Sequence, residues 1–159
     1  MASWANAQVA IDKLTVNGQS TLLDFNDDIN NTNVIILPIV DTVPTSLSNN
    51  NNGTFLLDAS DKIVKVYEAD EWKYLSDEGD TSMVVKNLSP STNQGVIIGE
   101  KESSADGVVV LESPNKAMIL PKVFRPHENV KSPYPGSMCY DTESKSLAIF
   151  DGKVWNYWK

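Results

Sequence analysis

The sequence has one cysteine, Cys139, and one histidine, His127. A single cysteine excludes an internal disulfide. Cys139 sits between Met138 and Tyr140 in an apolar run, which reads as a buried, unreactive thiol. One histidine and one cysteine do not make a zinc site. His127 lies in Arg125-Pro126-His127-Glu128, a proline-flanked surface loop, so a hydrolytic triad lacks its base. The eight glycines are scattered, and neither a Gly-x-Gly-x-x-Gly nor a Walker-type loop occurs. No run approaches the ~20 apolar residues of a membrane helix. Sustained 3.6-residue periodicity with caps is also missing, so helix content is expected to be low. Basic residues are scarce in the first half. Residues 1–80 hold four lysines against thirteen acids, a net of −9, whereas residues 81–159 hold nine basic and eight acidic residues, a net of +1. A formal charge of −8 leaves no positive field to attract nucleic acid or an anionic membrane. These absences argue against an enzyme and supply no cofactor site.

What is present is a repeat. The 159 residues, 41% hydrophobic, suit one domain or two small ones. Placing residue n on residue n+83 aligns Gly53 with Gly136, Asp58 with Asp141, Lys62 with Lys145, Trp72 with Trp155 and Tyr74 with Tyr157. Apolar positions coincide too: Phe55 with Met138, Val64 with Leu147, Val66 with Ile149. The same shift puts Ile36-Leu37-Pro38 on Ile119-Leu120-Pro121. Upstream, Val9-Ala10-Ile11 matches Val96-Ile97-Ile98, and Leu22–Phe25 matches Val109–Glu112, at an offset of about 87. The first copy therefore carries a few extra residues, placed around Asn26–Asn33. The units are 8–75 and 95–159, with a polar linker at 76–94 containing one short strand around Met83–Val85 and Leu88.

Each unit reads as β, and the fold class is mainly β: a tandem duplication of a small antiparallel β-meander with little helix. In the second unit the expected strands are Ser137–Tyr140, Ser146–Phe150 and Val154–Trp158. Asp151-Gly152 supplies a two-residue type I′ turn. The first copy has Glu68-Ala69-Asp70-Glu71 there, which predicts a longer or looser hairpin. Asn49–Asn52 with Gly53 reads as a loop.

Residues 1–7 read as a leader or signal remnant. Ala5-Asn6-Ala7 has the small-x-small form of a signal-peptidase site, although a charged n-region and a long apolar h-region are missing. The expectation is export.

With the unit laid out, the chain resembles a repeat found in secreted and cell-surface proteins of the Bacteroidota and in tail-fibre-like proteins of phages and prophages. The second copy carries the likeness in Val96-Ile97-Ile98-Gly99, Lys116–Lys122 (Lys-Ala-Met-Ile-Leu-Pro-Lys), Gly136–Thr142 (Gly-Ser-Met-Cys-Tyr-Asp-Thr) and Ile149–Trp155 (Ile-Phe-Asp-Gly-Lys-Val-Trp). The first copy diverges, with Ala10 and Asp12 near the opening glycines and Leu57-Asp58-Ala59 for Tyr-Asp-Thr. The resemblance implies a surface or fibre-like architecture. It offers no catalytic residues to carry over.

The remaining candidates are carboxylates and aromatics. Asp58 and Asp141 each follow an apolar strand, where a carboxylate accepts backbone N–H groups in an Asx turn. The sharper alternative is a calcium site using Asp58 and Asp61, which lacks the spacing of an EF-hand loop. Trp72 and Trp155 recur and read as core anchors. Tyr74, Tyr157 and Trp158 cluster at the unit ends, where exposed rings stack on sugars or form an interface. Trp158 has Leu75 as its counterpart, so it is freer to serve a contact.

These features support a non-enzymatic structural or adhesive protein of the bacterial surface or extracellular space. The expected partners are further copies of itself in a homo-oligomer or larger surface assembly. The edge strand Val9–Ile11 is one route to such pairing. The rivals are a phage or prophage virion component and a carbohydrate-binding module.

Overall fold

A computed structural model describes residues 8–85, 95–105 and 107–159. Residues 1–7, expected to be a leader, and Leu88 of the expected linker lie outside the described residues. Strand accounts for 35% of the structure and helix for 5%, so the chain is mainly β.

Each unit opens with two short parallel strands. In the first, β1 (Val9–Ile11) lies beside β2 (Thr21–Phe25), with Val9 opposite Leu23. β3 (Ile35–Ile36) and β4 (Ile39–Val40) follow on either side of Leu37-Pro38. The meander is β5 (Phe55–Asp58), β6 (Ile63–Glu68) and β7 (Glu71–Tyr74). In the second unit, β8 (Val96–Ile98) pairs in parallel with β9 (Val109–Leu111), with Val96 opposite Val109. β10 (Ala117–Met118) and β11 (Lys122–Val123) precede a short helix, α1 (Pro126–Asn129). The second meander is β12 (Ser137–Asp141), β13 (Ser146–Phe150) and β14 (Trp155–Trp158). β4 adds in parallel to β5, and β11 adds in parallel to β12 in the same register. The repeated strand units stack in a β-solenoid-like arrangement.

The parallel pairs were not legible beforehand. Parallel neighbours usually need a helical crossover. Here irregular chain does the work over 12–20 and, among the described residues, over 99–105 and 107–108, and strands of two or three residues carry no readable alternation.

The registers also refine the repeat. Val9 and Val96 differ by 87, Leu23 and Val109 by 86, and the meanders by 83. One extra residue thus falls between β1 and β2, and three fall between β2 and β3.

The units are interlocked. β10 of the second unit pairs in parallel with β2 of the first, and β3 of the first pairs antiparallel with β12 of the second. β3 and β10 are counterparts under the repeat, so each unit lends its equivalent strand to the other. The main core is shared as well. Leu37, Leu57 and Val64 pack with Met138 and Ile149, all buried. Strand alternation puts Leu57 and Val64 on one face of their sheet, and Met138 and Ile149 on the corresponding face of theirs. A smaller cluster, Val123, Cys139 and Ala148, covers the opposite face of the second meander, with Val130 and Trp155 against it.

Several expectations need correction. Both meanders use turns of the same length. In the first, Glu68 faces Glu71, and Ala69 (φ 51°) and Asp70 (φ 64°) both sit in the left-handed region, the type I′ pattern. In the second, Asp151 donates its N–H to Val154 O (3.2 Å), so Gly152-Lys153 is the central pair. There only Gly152 has positive φ (100°), the type II′ pattern. The Asp151 carboxylate is buried and accepts the Lys153 and Val154 N–H groups (2.7 and 2.8 Å), which moves Asp151 out of the turn centre.

Asn49–Asn51 is a turn of 3-10 helix. Buried Asn51 ties it down by accepting the Ser48 N–H (3.0 Å). Met83–Val85 forms no strand; Thr81–Val84 is a turn, closed by Val84 N–H on Thr81 O (3.0 Å). The start of the expected linker is structural. Ser76 Oγ accepts the Val64 N–H (3.0 Å), and Asp80 donates its N–H to Asp151 O (2.9 Å).

Candidate functional site: an aromatic cleft between the two units

Tyr74, Tyr157 and Trp158 come together. The end of β7 and the following Leu75, Ser76 and Asp77 face Asn156, Tyr157 and Trp158 of β14 across an open cleft of about 350 Å³. The two walls are equivalent parts of the two units. Trp158 Nε1–H donates to the carbonyl of Leu75 (2.9 Å), its own counterpart 83 residues earlier. The residue expected to be freest for an outside contact therefore spends its polar group joining the two units.

The two tyrosines also have internal partners. The Tyr157 hydroxyl lies 3.0 Å from His127 Nδ1, with the rings edge-to-face. Burial, followed by the nearby Asp141 and Cys139, pushes the Tyr157 phenol up to about 12, so it stays protonated at neutral pH. The Lys65 ammonium sits 5.3 Å from the centre of the Tyr74 ring. Tyr74 remains the most open of the three at 61% exposure. The cleft thus offers aromatic faces, the Asp77 carboxylate and the Asn156 amide. That chemistry suits stacking and hydrogen bonding to a polar ligand.

The calcium candidates converge on a cation already in the chain. Lys65 Nζ lies 2.6 Å from Asp58 Oδ2 and 2.5 Å from Asp61 Oδ2. The ammonium fills the space between the two carboxylates. Asp58 also closes the expected Asx turn through Ser60 N–H (2.9 Å). Its counterpart Asp141 does the same with Glu143 N–H (3.0 Å) and accepts Arg125 N–H (3.2 Å) from the α1 loop. Burial opposes ionisation at both carboxyls, but their hydrogen bonds outweigh it and both are held below the usual carboxylate range. Among the described residues, no three His, Cys, Asp or Glu side chains are grouped to hold a metal ion.

Cys139 is fully buried, and burial raises its thiol to about 12. Trp155 packs on the smaller core and tilts against Phe150, while Trp72 stacks edge-on against Tyr67. Both act as anchors, each half-buried rather than deep in the core.

One buried carboxylate escaped the sequence reading. Asp24 on β2 is fully buried and accepts Lys13 Nζ (3.0 Å) and Asn17 N–H (2.8 Å) through Oδ2, while its Oδ1 has no hydrogen-bond partner among the described residues. An Asp inside Leu22-Leu23-Asp24-Phe25 was the available signal. Its Lys13 partner lies across an irregular loop, and no pattern announces that pairing.

Among the described residues, no helix is long and apolar enough to cross a membrane. The fold and cleft define a mainly β tandem-repeat protein. Comparison with known protein families, curated proteins and solved structures finds no match.

Proposed function

We propose that the chain is a non-enzymatic structural or adhesive protein of the bacterial surface or extracellular space, working through assembly and surface contacts. The observation that carries this reading is the strand exchange between the units. β10 completes the sheet of β1 and β2, and β3 extends the edge of β12. A fold whose internal joint is made by lending strands has the means to join further copies in the same way. The likeness to Bacteroidota surface and fibre-like repeats points in the same direction. Light scattering on the full chain across a concentration range tests the reading. Species larger than a monomer are expected, and a strict monomer at high concentration overturns it.

One observation favours a second reading, glycan binding: Tyr74, Tyr157 and Trp158 share a single cleft. A glycan array would show hits that Tyr74→Ala weakens at least tenfold. An empty array, or hits indifferent to Tyr74→Ala, removes this reading.

A further inference from the structure

The two parallel strand pairs at the openings of the units are built alike but covered differently. By register, Leu22 and Leu23 of β2 correspond to Val108 and Val109 beside and in β9. Leu22 and Leu23 are 2% and 5% exposed, whereas Val108 and Val109 are 65% and 55% exposed. Part of the cover on β2 is β10, which occupies the edge that β1 leaves open. Among the described residues, no strand pairs with the corresponding edge of β9. Val96 and Ile97 of β8 are exposed as well, so the bare feature is an apolar patch and not an isolated side chain.

The backbone of that edge faces outward. Val96 N–H donates to Val108 O, and Glu112 N–H donates to Ile98 O (both 2.9 Å). Residues 108 and 112 therefore face β8, and strand alternation turns Val109 the other way. In the first unit the matching carbonyl, Leu23 O, accepts the Ile119 N–H at 2.9 Å. Among the described residues, the Val109 carbonyl is the same acceptor without a donor strand.

The donor has a counterpart too. Ile119 corresponds to Ile36 in the first unit, at the end of β3. Leu37 donates its N–H to Gly136 O (3.0 Å) and so faces β12. Alternation points the Ile36 N–H away from β12, on the strand's other side. The Ile36 side chain is 53% exposed. Among the described residues no strand pairs with this side of β3, which is equivalent to the edge β10 uses on β2.

We propose that β9 is the docking edge for a second copy of this chain, whose β3 adds in parallel so that its Ile36 N–H meets the Val109 carbonyl. The occupant follows from the joint inside the molecule: β10 on β2 is the template, and β3 on β9 repeats it between chains. The contact is head-to-tail, because acceptor and donor lie on different parts of the surface. It builds a ring or a filament depending on whether the rotation closes. It rests on the assembly reading and names the surface responsible.

The test uses the full chain with Val109→Lys and Ile36→Lys, both at exposed positions, where an edge lysine blocks strand addition. Unchanged circular dichroism and thermal unfolding of each variant serve as the fold control. Wild type is expected to assemble in light scattering. Each variant alone is expected to lose association at least tenfold. An equimolar mixture should recover a 1:1 dimer that does not grow, since one intact β9 edge then meets one intact β3. Ile36→Cys mixed with Val110→Cys, which this register places opposite each other on one face, gives an independent readout, because Cys139 is buried; a disulfide-linked pair is expected on oxidation. Wild type that stays monomeric overturns both this interface and the assembly reading. Wild type that assembles while both variants assemble equally well, or variants that fail to complement, overturns this interface and leaves the assembly reading standing.

Discussion

At the scale of single residues, the two units solve one problem in two ways. Asp58 and Asp141 occupy the same position and are both buried, at 3% and 1% exposure. Asp141 is satisfied by neutral donors: Glu143, Ser144 and Arg125 N–H groups and the Ser144 hydroxyl. Among the described residues, Asp58 has only Ser60 besides the Lys65 ammonium. Removing that ammonium leaves a buried carboxylate undercompensated, next to a second acid, Asp61. Lys65→Met is therefore expected to lower stability by about 3 kcal/mol in urea unfolding at pH 7. Because both carboxyls titrate below their unfolded values, their contribution is present above about pH 4 and is lost as pH falls through the folded values. Asp141→Asn is expected to narrow the gap between stabilities measured at pH 7 and pH 3. An unchanged gap would mean that Asp141 is not among the groups driving acid unfolding. The identity of these aspartates as turn residues was legible in the sequence. The lysine between Asp58 and Asp61 was not, because its pairing depends on a strand register that brings residues 58, 61 and 65 together.

At the scale of elements, the hairpin turns show what a dipeptide signal conveys. Asp-Gly marked a turn correctly and placed it one residue too early. The Asp151 side chain captures the loop N–H groups, and Gly152 takes the first central position. A second constraint acts on Gly152. A Cβ there would lie 1.8 Å from the carbonyl oxygen of Asp80, a residue read from sequence as linker. Gly152→Ala is thus expected to cost more than about 2 kcal/mol, through both strain and the clash. The matching position in the first unit is Ala69, already left-handed at φ 51°. Ala69→Gly removes that strain, for a gain of about 1 kcal/mol. Opposite signs at equivalent positions, measured by thermal or urea unfolding, check the assignment; equal signs would refute it. The strands of the second meander were readable to within a residue, since each is long enough to show alternation. The parallel pairing of the two- and three-residue strands was invisible for the converse reason, although Val9–Ile11 was legible as an edge strand. That pairing is decided by distant partners, and a strand such as Ile39-Val40 has no period of its own.

At the scale of the whole molecule, the sequence divides cleanly into two copies, but the energetics do not. The main core needs Leu57 and Val64 from one unit and Met138 and Ile149 from the other. β2 is completed by β10, β12 is extended by β3, and Trp158 bonds to Leu75 across the joint. A unit of about 65 residues buries too little surface to be secure on its own, and here each unit would also expose half of a shared core. The prediction is that the fragments 1–94 and 95–159, expressed separately, are largely unfolded, with weak near-ultraviolet circular dichroism and poor amide dispersion. Mixed at equal concentration, they should regain native signals with 1:1 stoichiometry, because the strand exchange and the shared core need no covalent link between the units. The intact chain should unfold in one transition, with the same midpoint by fluorescence and by far-ultraviolet circular dichroism. Two separated transitions, or a folded 95–159 fragment, would show that the units are independent domains. In that case the exchanged strands would be decoration on two stable bodies, and the internal joint would lose its standing as a template for contacts between chains.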